Sequence, residues 1–161
     1  MIPQPLAQSL EVFRIGDPKG RFPIWDAIGS TVFPGRWNSG SSPVIYAAQS
    51  YSLAMLEKLA HLNGILPDGQ HYVRAILPAK LSILTVTPAL VPGWDSDPPV
   101  AARRLGDRFV AEGLSAVLRV PSFVARIEWN FVINPRHPDF GMITTFMPEP
   151  VWWDERLFAR I

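Results

Sequence analysis

Proline sets the strongest limit on what this chain can become: 17 of its 161 residues are proline, about twice the average share. Each proline fixes φ and removes an amide donor, so it interrupts helices and is excluded from central strands. The expected product is a set of short elements joined by turns, which argues against a helical bundle. The length suits a single domain over residues 1–161 with a core of its own. At 48% hydrophobic and 18% charged, the chain is too apolar for intrinsic disorder. With no cysteine it has no disulfide scaffold, thiol nucleophile or cysteine-ligated metal centre. No apolar run approaches the roughly 18 residues of a membrane span, and Met1–Leu10 lacks a basic n-region and an apolar h-region, so no secretory signal is expected. A cytoplasmic location without membrane contact is the default expectation.

Hydrophobic periodicity then places the elements. Glu11–Ile15 alternates, with Val12 and Arg14 on one side and Phe13 and Ile15 on the other, as a strand does. Gly16–Gly40 lacks periodicity, yet Trp25, Phe33 and Trp37 make it too apolar for disorder. An ordered loop wrapping a site is expected. Pro43–Ala47 reads as a strand. Ser50–Leu62 reads as a helix, capped by Ser50 or Ser52 and closed by Asn63-Gly64. Tyr72–Leu77 and Leu81–Val86 follow as strands. A second helix is expected to start at Asp97-Pro98 and to stop at Gly113. Ser115–Val120, Ile127–Ile133 and Met142–Phe146 complete the strands. The mixture predicts an α+β fold: a curved, mostly antiparallel sheet or sheet pair with two principal helices.

The charge balance narrows function. A formal net charge of +1 argues against a surface that tracks a phosphate backbone. Of the 15 basic residues, 12 are Arg, the side chain suited to bidentate contacts with phosphate or carboxylate, although codon bias would produce the same excess. There is no nucleophile elbow, P-loop, dinucleotide-binding glycine motif or H-E-x-x-H, and His61, His71 and His137 lack metal-ligand spacing.

Two clusters remain. In the first, Arg36 could hold phosphate, Tyr46 could stack on a flat or cationic ring, and Glu57 could stabilise positive charge developing on a ribose. Each has a plainer alternative: Arg36 paired with a carboxylate such as Glu57, Tyr46 as a core aromatic, Glu57 as a solvated helix residue beside His61. In the second, Ser122 lies just past a predicted strand end, a common place for ligand contacts and equally for local turn hydrogen bonds. Glu128-Trp129-Asn130 and Asn134–Pro138 follow it. Arg14 is the least ordinary residue, a charge in mid-strand that needs a partner or a ligand.

The order of short motifs resembles a known family. Phe-Arg-Ile at 13–15 is followed by Gly-Arg-Trp-Asn at 35–38, Val-Ile-Tyr-Ala at 44–47, and Ala54 with Glu57 in the helix. Val-Pro-Ser at 120–122, Ile-Asn-Pro-Arg-His-Pro-Asp-Phe at 133–140 and Trp-Asp-Glu-Arg-Leu-Phe at 153–158 complete the set. It resembles the RES domain family, the toxins of RES–Xre toxin–antitoxin modules. The resemblance implies a fold similar to ADP-ribosyltransferase toxins and an enzyme that cleaves the nicotinamide–ribose bond of NAD by hydrolysis or phosphorolysis. The alternative is a mono-ADP-ribosyltransferase that modifies a host protein. On that basis Arg14 and Arg36 hold the pyrophosphate or adjoining groups, Tyr46 stacks near nicotinamide, Glu57 supports the ribosyl cation, and Ser122 orients ribose or amide. NAD enters as substrate, inorganic phosphate as a possible co-substrate, and no cofactor is required. The implied partner is a cognate Xre-type helix-turn-helix antitoxin that blocks the cleft, with DNA contacted only through it, in a hetero-oligomer. Trp25 in the Gly16–Val32 loop is expected to shape the mouth of the cleft.

Overall fold

A computed structural model describes residues 1–63, 65 and 68–158. In chain order the elements are β1 (Gln4–Pro5), β2 (Leu10–Gly16), α1 (Ile28–Val32), β3 (Ile45–Ala48), α2 (Tyr51–His61), β4 (His71–Leu77), β5 (Ser82–Thr85), α3 (Val100–Glu112), β6 (Val117–Pro121), β7 (Trp129–Ile133), β8 (Thr144–Thr145) and β9 (Glu149–Pro150). Among the described residues all nine strands join one sheet in the order β1-β5-β6-β7-β3-β2-β4-β8, with β9 also on β4. Every pairing is antiparallel except β5 with β6, and α3 supplies the crossover that a parallel pair requires. The fold is the α+β arrangement expected, built on one sheet.

Side-chain alternation divides the core between the two faces of the sheet. Leu84, Leu118, Val120 and Val132 lie under α3, which buries Ala102, Leu105, Gly106, Phe109 and Val110. Those positions follow the spacing of one helix face. On the same side, Leu53 and Ala54 of α2 pack onto Ile15 and Ala48. The other face carries Val12, Ile45, Ala47, Ala75, Val117, Phe131 and Ile133, covered by Trp25, Phe140 and Ile143.

Helix ends follow local chemistry. The Ser50 hydroxyl accepts from the Leu53 amide at 3.1 Å and starts α2, as its sequence predicts. At the other end Asn63 takes φ 53°, and Gly64 lies outside the described residues. Gly113 closes α3 at φ 57°, with the Leu114 amide reaching back to Phe109 O. The start of α3 differs from expectation. Asp97-Pro98 is a cis peptide ahead of the helix, which begins at Val100. Pro99 holds the residue before it out of helical conformation, so Asp97 cannot act as the cap.

Other departures have similar local causes. The long loop is ordered, but it contains the five-residue α1. Its Trp25 packs on the face away from the two main helices, while Trp37 is buried under α3. The strand expected at Met142–Phe146 is only Thr144–Thr145, because Pro138 starts a 3-10 turn running to Met142. Of the C-terminal tryptophans, Trp152 is 76% exposed and Trp153 packs beside Ile15 and Ala48.

Candidate active site

The site begins where two strands part. β2 registers with β4 from Leu10 to Gly16 but with β3 at one pair, Phe13 and Ala48. The Arg14 guanidinium spans the gap, Nε donating to Ile24 O at 2.7 Å and Nη1 to Tyr46 O at 3.0 Å. Among the described residues it has no ion pair. Burial lowers its pKa, opposed by Tyr46 and Asp26, and an arginine remains charged under such a shift. Lys58, half-buried on α2, is also depressed by burial and by Arg14, with Asp17 opposing. Positive charge thus collects at this end without a bound carboxylate.

Tyr46 is built into the loop below it. Its hydroxyl donates to Asn38 Oδ1 at 2.7 Å and accepts from the Trp37 amide at 3.0 Å. Asn38 is fully buried; its Oδ1 also accepts from the Gly35 amide, and its Nδ2 faces the carbonyls of Ser30, Ser39 and Ser42. Gly35 lies so close to the Tyr46 ring that a Cβ there would come within 2.6 Å of Cζ. Burial drives the phenol well above its ordinary pKa, although the Trp37 amide and nearby Arg103 act the other way, so the hydroxyl stays protonated. Removing it orphans the Trp37 amide. Tyr46→Phe is therefore expected to lose about 1–3 kcal/mol of stability in urea denaturation.

Arg36, on the same loop, uses Nη1 for two carbonyls, Trp94 O at 3.1 Å and Ser96 O at 2.8 Å. Its guanidinium carbon lies 4.1 Å from the centre of the Phe123 ring. Arg126 contacts that ring at 4.7 Å and pairs with Asp95 at 2.7 Å. Burial lowers the Arg36 pKa, Asp97 and Asp95 support its charge, and Arg126 and Arg103 oppose it. Among the described residues only Nη1 makes hydrogen bonds, which leaves donors of this guanidinium for an anion.

Glu57 occupies the space between α2 and the end of β6. One carboxylate oxygen, Oε1, accepts from Ser122 Oγ at 2.7 Å and from Asn130 Nδ2 at 2.7 Å. The buried Ser122 hydroxyl also accepts from the Ala125 amide at 3.0 Å, so its single proton is committed to Glu57. Among the described residues no such bond holds Oε2. Ser122 adjoins Phe123, so one short segment touches both Glu57 and Arg36.

The structure thus joins Glu57 to Ser122, Arg14 to Tyr46, and Arg36 to Phe123. Glu57 pairs with neither Arg36 nor His61, two alternatives open from the sequence. Asn130 was not singled out as a site residue. Its signal is parity: Asn130 shares a strand face with Val132, where an amide needs a partner. Through the adjacent Ser122 and Phe123, a carboxylate and a guanidinium contact neighbouring residues of one short segment. Among the described residues no cluster of metal-ligating side chains occurs.

Comparison with known proteins identifies the family. A family model described as the RES domain matches residues 11–154. Toxin Res of Pseudomonas putida is 38% identical over 127 residues, covering 77% of this chain and 86% of the relative. The Prs ADP-ribosylating toxin of a Sphingobium species is 37% identical over 137 residues, covering 82% and 85%. In fold, the chain is similar to a chain of the Mycobacterium tuberculosis MbcT-MbcA toxin–antitoxin complex. The TM-score is 0.69 at 17% identity, over 90% of this chain and 85% of that one. By the family match and the identity to these relatives, the chain belongs to the RES domain family.

Proposed function

We propose that this RES-domain chain is the toxin of a toxin–antitoxin pair and that it consumes NAD by cleaving the nicotinamide–ribose bond. The observation that carries the reading is the Glu57 carboxylate, anchored through one oxygen between Ser122 and Asn130, with Arg36 lying over the adjacent Phe123 ring. NAD needs little machinery for this reaction. As the glycosidic C–N bond breaks, its electron pair goes to the ring nitrogen and nicotinamide leaves neutral. The ribosyl carbon becomes cationic, and a carboxylate placed beside it stabilises that charge. An oxygen of water or phosphate then bonds to the carbon and releases a proton. Arg36 and Arg14 hold the pyrophosphate, and the Tyr46 ring borders the nicotinamide end.

Arg36→Ala is expected to raise the KM for NAD about tenfold or more, as loss of a charged hydrogen bond of ~1.5–3 kcal/mol does. Saturation kinetics check it, and an unchanged KM counts against a phosphate contact. A mass-spectrometric time course of NAD with the purified chain, with and without phosphate, tests the function itself. ADP-ribose or its 1″-phosphate as product identifies the acceptor. Persistence of NAD with a folded protein rejects the glycohydrolase reading.

A second reading is favoured by one observation, the 37% identity to a toxin named for ADP-ribosylation. In it a protein side chain takes the acceptor's place, and transfer of label from NAD to a protein band distinguishes it. We further propose an Xre-type helix-turn-helix antitoxin as partner, DNA contact only through that partner, and a cytoplasmic site of action. The exposed Phe33, Phe123 and Ile127 suit such an interface. None of the described helices is long and apolar enough to cross a membrane.

A further inference from the structure

Carboxylates on helix surfaces normally rotate freely, and both oxygens are then equivalent to a ligand. Glu57 is held differently. Two neutral donors from separate strand ends converge on the same oxygen, Ser122 Oγ from beyond β6 and Asn130 Nδ2 from β7, each at 2.7 Å. Asn130 lies opposite Val120 and Ala48 in the sheet, so its backbone is held by strands on both sides. Its side chain makes no other hydrogen bond among the described residues. Ser122 is likewise fixed, through Ala125 and the Ser122 amide bond to Glu128 O.

We infer that Asn130 is a positioning residue for Glu57: with Ser122 it clamps Oε1 and so presents Oε2 alone, in one orientation, to the reacting centre. The inference rests on the proposed role of Glu57 and extends it to a side chain without a ligand contact of its own. Two donors on one oxygen cost that oxygen its freedom to rotate toward solvent, and the carboxylate charge stays aimed without a counter-ion to neutralise it. Neutral donors matter here, because an arginine in place of Asn130 would cancel the charge on which the reaction depends. An aimed carboxylate contributes to the transition state and little to ground-state binding. Its loss should therefore appear in kcat and leave KM in place.

Three variants of the full chain test this: Asn130→Ala, Asn130→Asp and, as reference, Glu57→Gln, each assayed for NAD consumption and for binding of ADP-ribose by calorimetry. Asn130→Ala is expected to lower kcat about 10–100-fold with KM and ADP-ribose affinity within about twofold of wild type. Asn130→Asp keeps the side-chain shape, but it replaces the donor by a second carboxylate against Oε1. Its kcat is expected to fall at least as far. Melting temperatures establish that each variant is folded, and if the alanine variant is not, the aspartate variant decides. Wild-type kcat in folded Asn130→Asp, or a rise in KM with kcat unchanged, overturns the positioning role while a dead Glu57→Gln leaves the role of Glu57 standing. Full activity in Glu57→Gln overturns both.

Discussion

Glu57→Gln is expected to abolish most NAD turnover, by about 10²–10³-fold in kcat, the scale of removing one well-placed electrostatic group from a transition state. The geometry makes this a clean experiment. Ser122 and Asn130 both donate to Oε1, and the amide oxygen of glutamine accepts the same two bonds. What changes is the charge, together with a switch from acceptor to donor at the position facing the ligand. The melting temperature should thus stay close to wild type while the rate collapses. Initial rates of NAD loss and a thermal melt on the same preparation give both numbers. A variant that turns over at the wild-type rate would remove Glu57 from the reaction and with it the proposed function.

The second large effect lies outside the groove. A Cβ added at Gly106, on the inner face of α3, would stand 1.5 Å from Trp37 O and 2.6 Å from Trp37 C. Both atoms are backbone, so no side-chain rotation relieves the overlap. In a helix Ala is favoured over Gly by about 1 kcal/mol. Here that gain is overridden, because either α3 or the 35–38 loop must move, at about 3 kcal/mol or more. Against a domain stability on the order of 5–15 kcal/mol, that is a large share. The loop is also the one that carries Arg36 and receives the Tyr46 hydroxyl, so Gly106→Ala should lose activity as well as stability. Urea denaturation checks the first consequence and NAD consumption the second. An alanine variant as stable as wild type would contradict the close approach of α3 to the loop.

Much of the fold was legible because it rests on local rules. Ser50 and Gly113 mark helix ends by their own chemistry, and the alternation of β2 and β7 assigns the faces of the sheet. Local rules failed where one signal competed with another. At 97–100, a cap-then-proline pattern was overruled by the second proline. At 138–146, Pro138 set a turn where apolar residues suggested a strand. The two-residue strands β1, β8 and β9 were invisible, since they are too short for periodicity and exist only because a neighbouring strand edge pairs with them.

The candidate site divides along the same line. Arg14, Arg36, Tyr46, Glu57 and Ser122 stood out by residue type and motif order, since an arginine in mid-strand or a motif order shared with a family is written in the chain itself. Their partners were not written there. Glu57 meets Ser122 and Asn130 across separations of 65 and 73 residues, and Arg36 meets the carbonyls of Trp94 and Ser96 across 58 and 60. Such contacts depend on which strands lie side by side and on where β2 leaves β3. Composition and periodicity determine the element types and the buried faces, and motif order marks the candidate site residues, because these follow from properties a residue carries with it. Which oxygen of Glu57 is clamped, and which carbonyls hold Arg36, was decided only when the sheet order brought distant segments together.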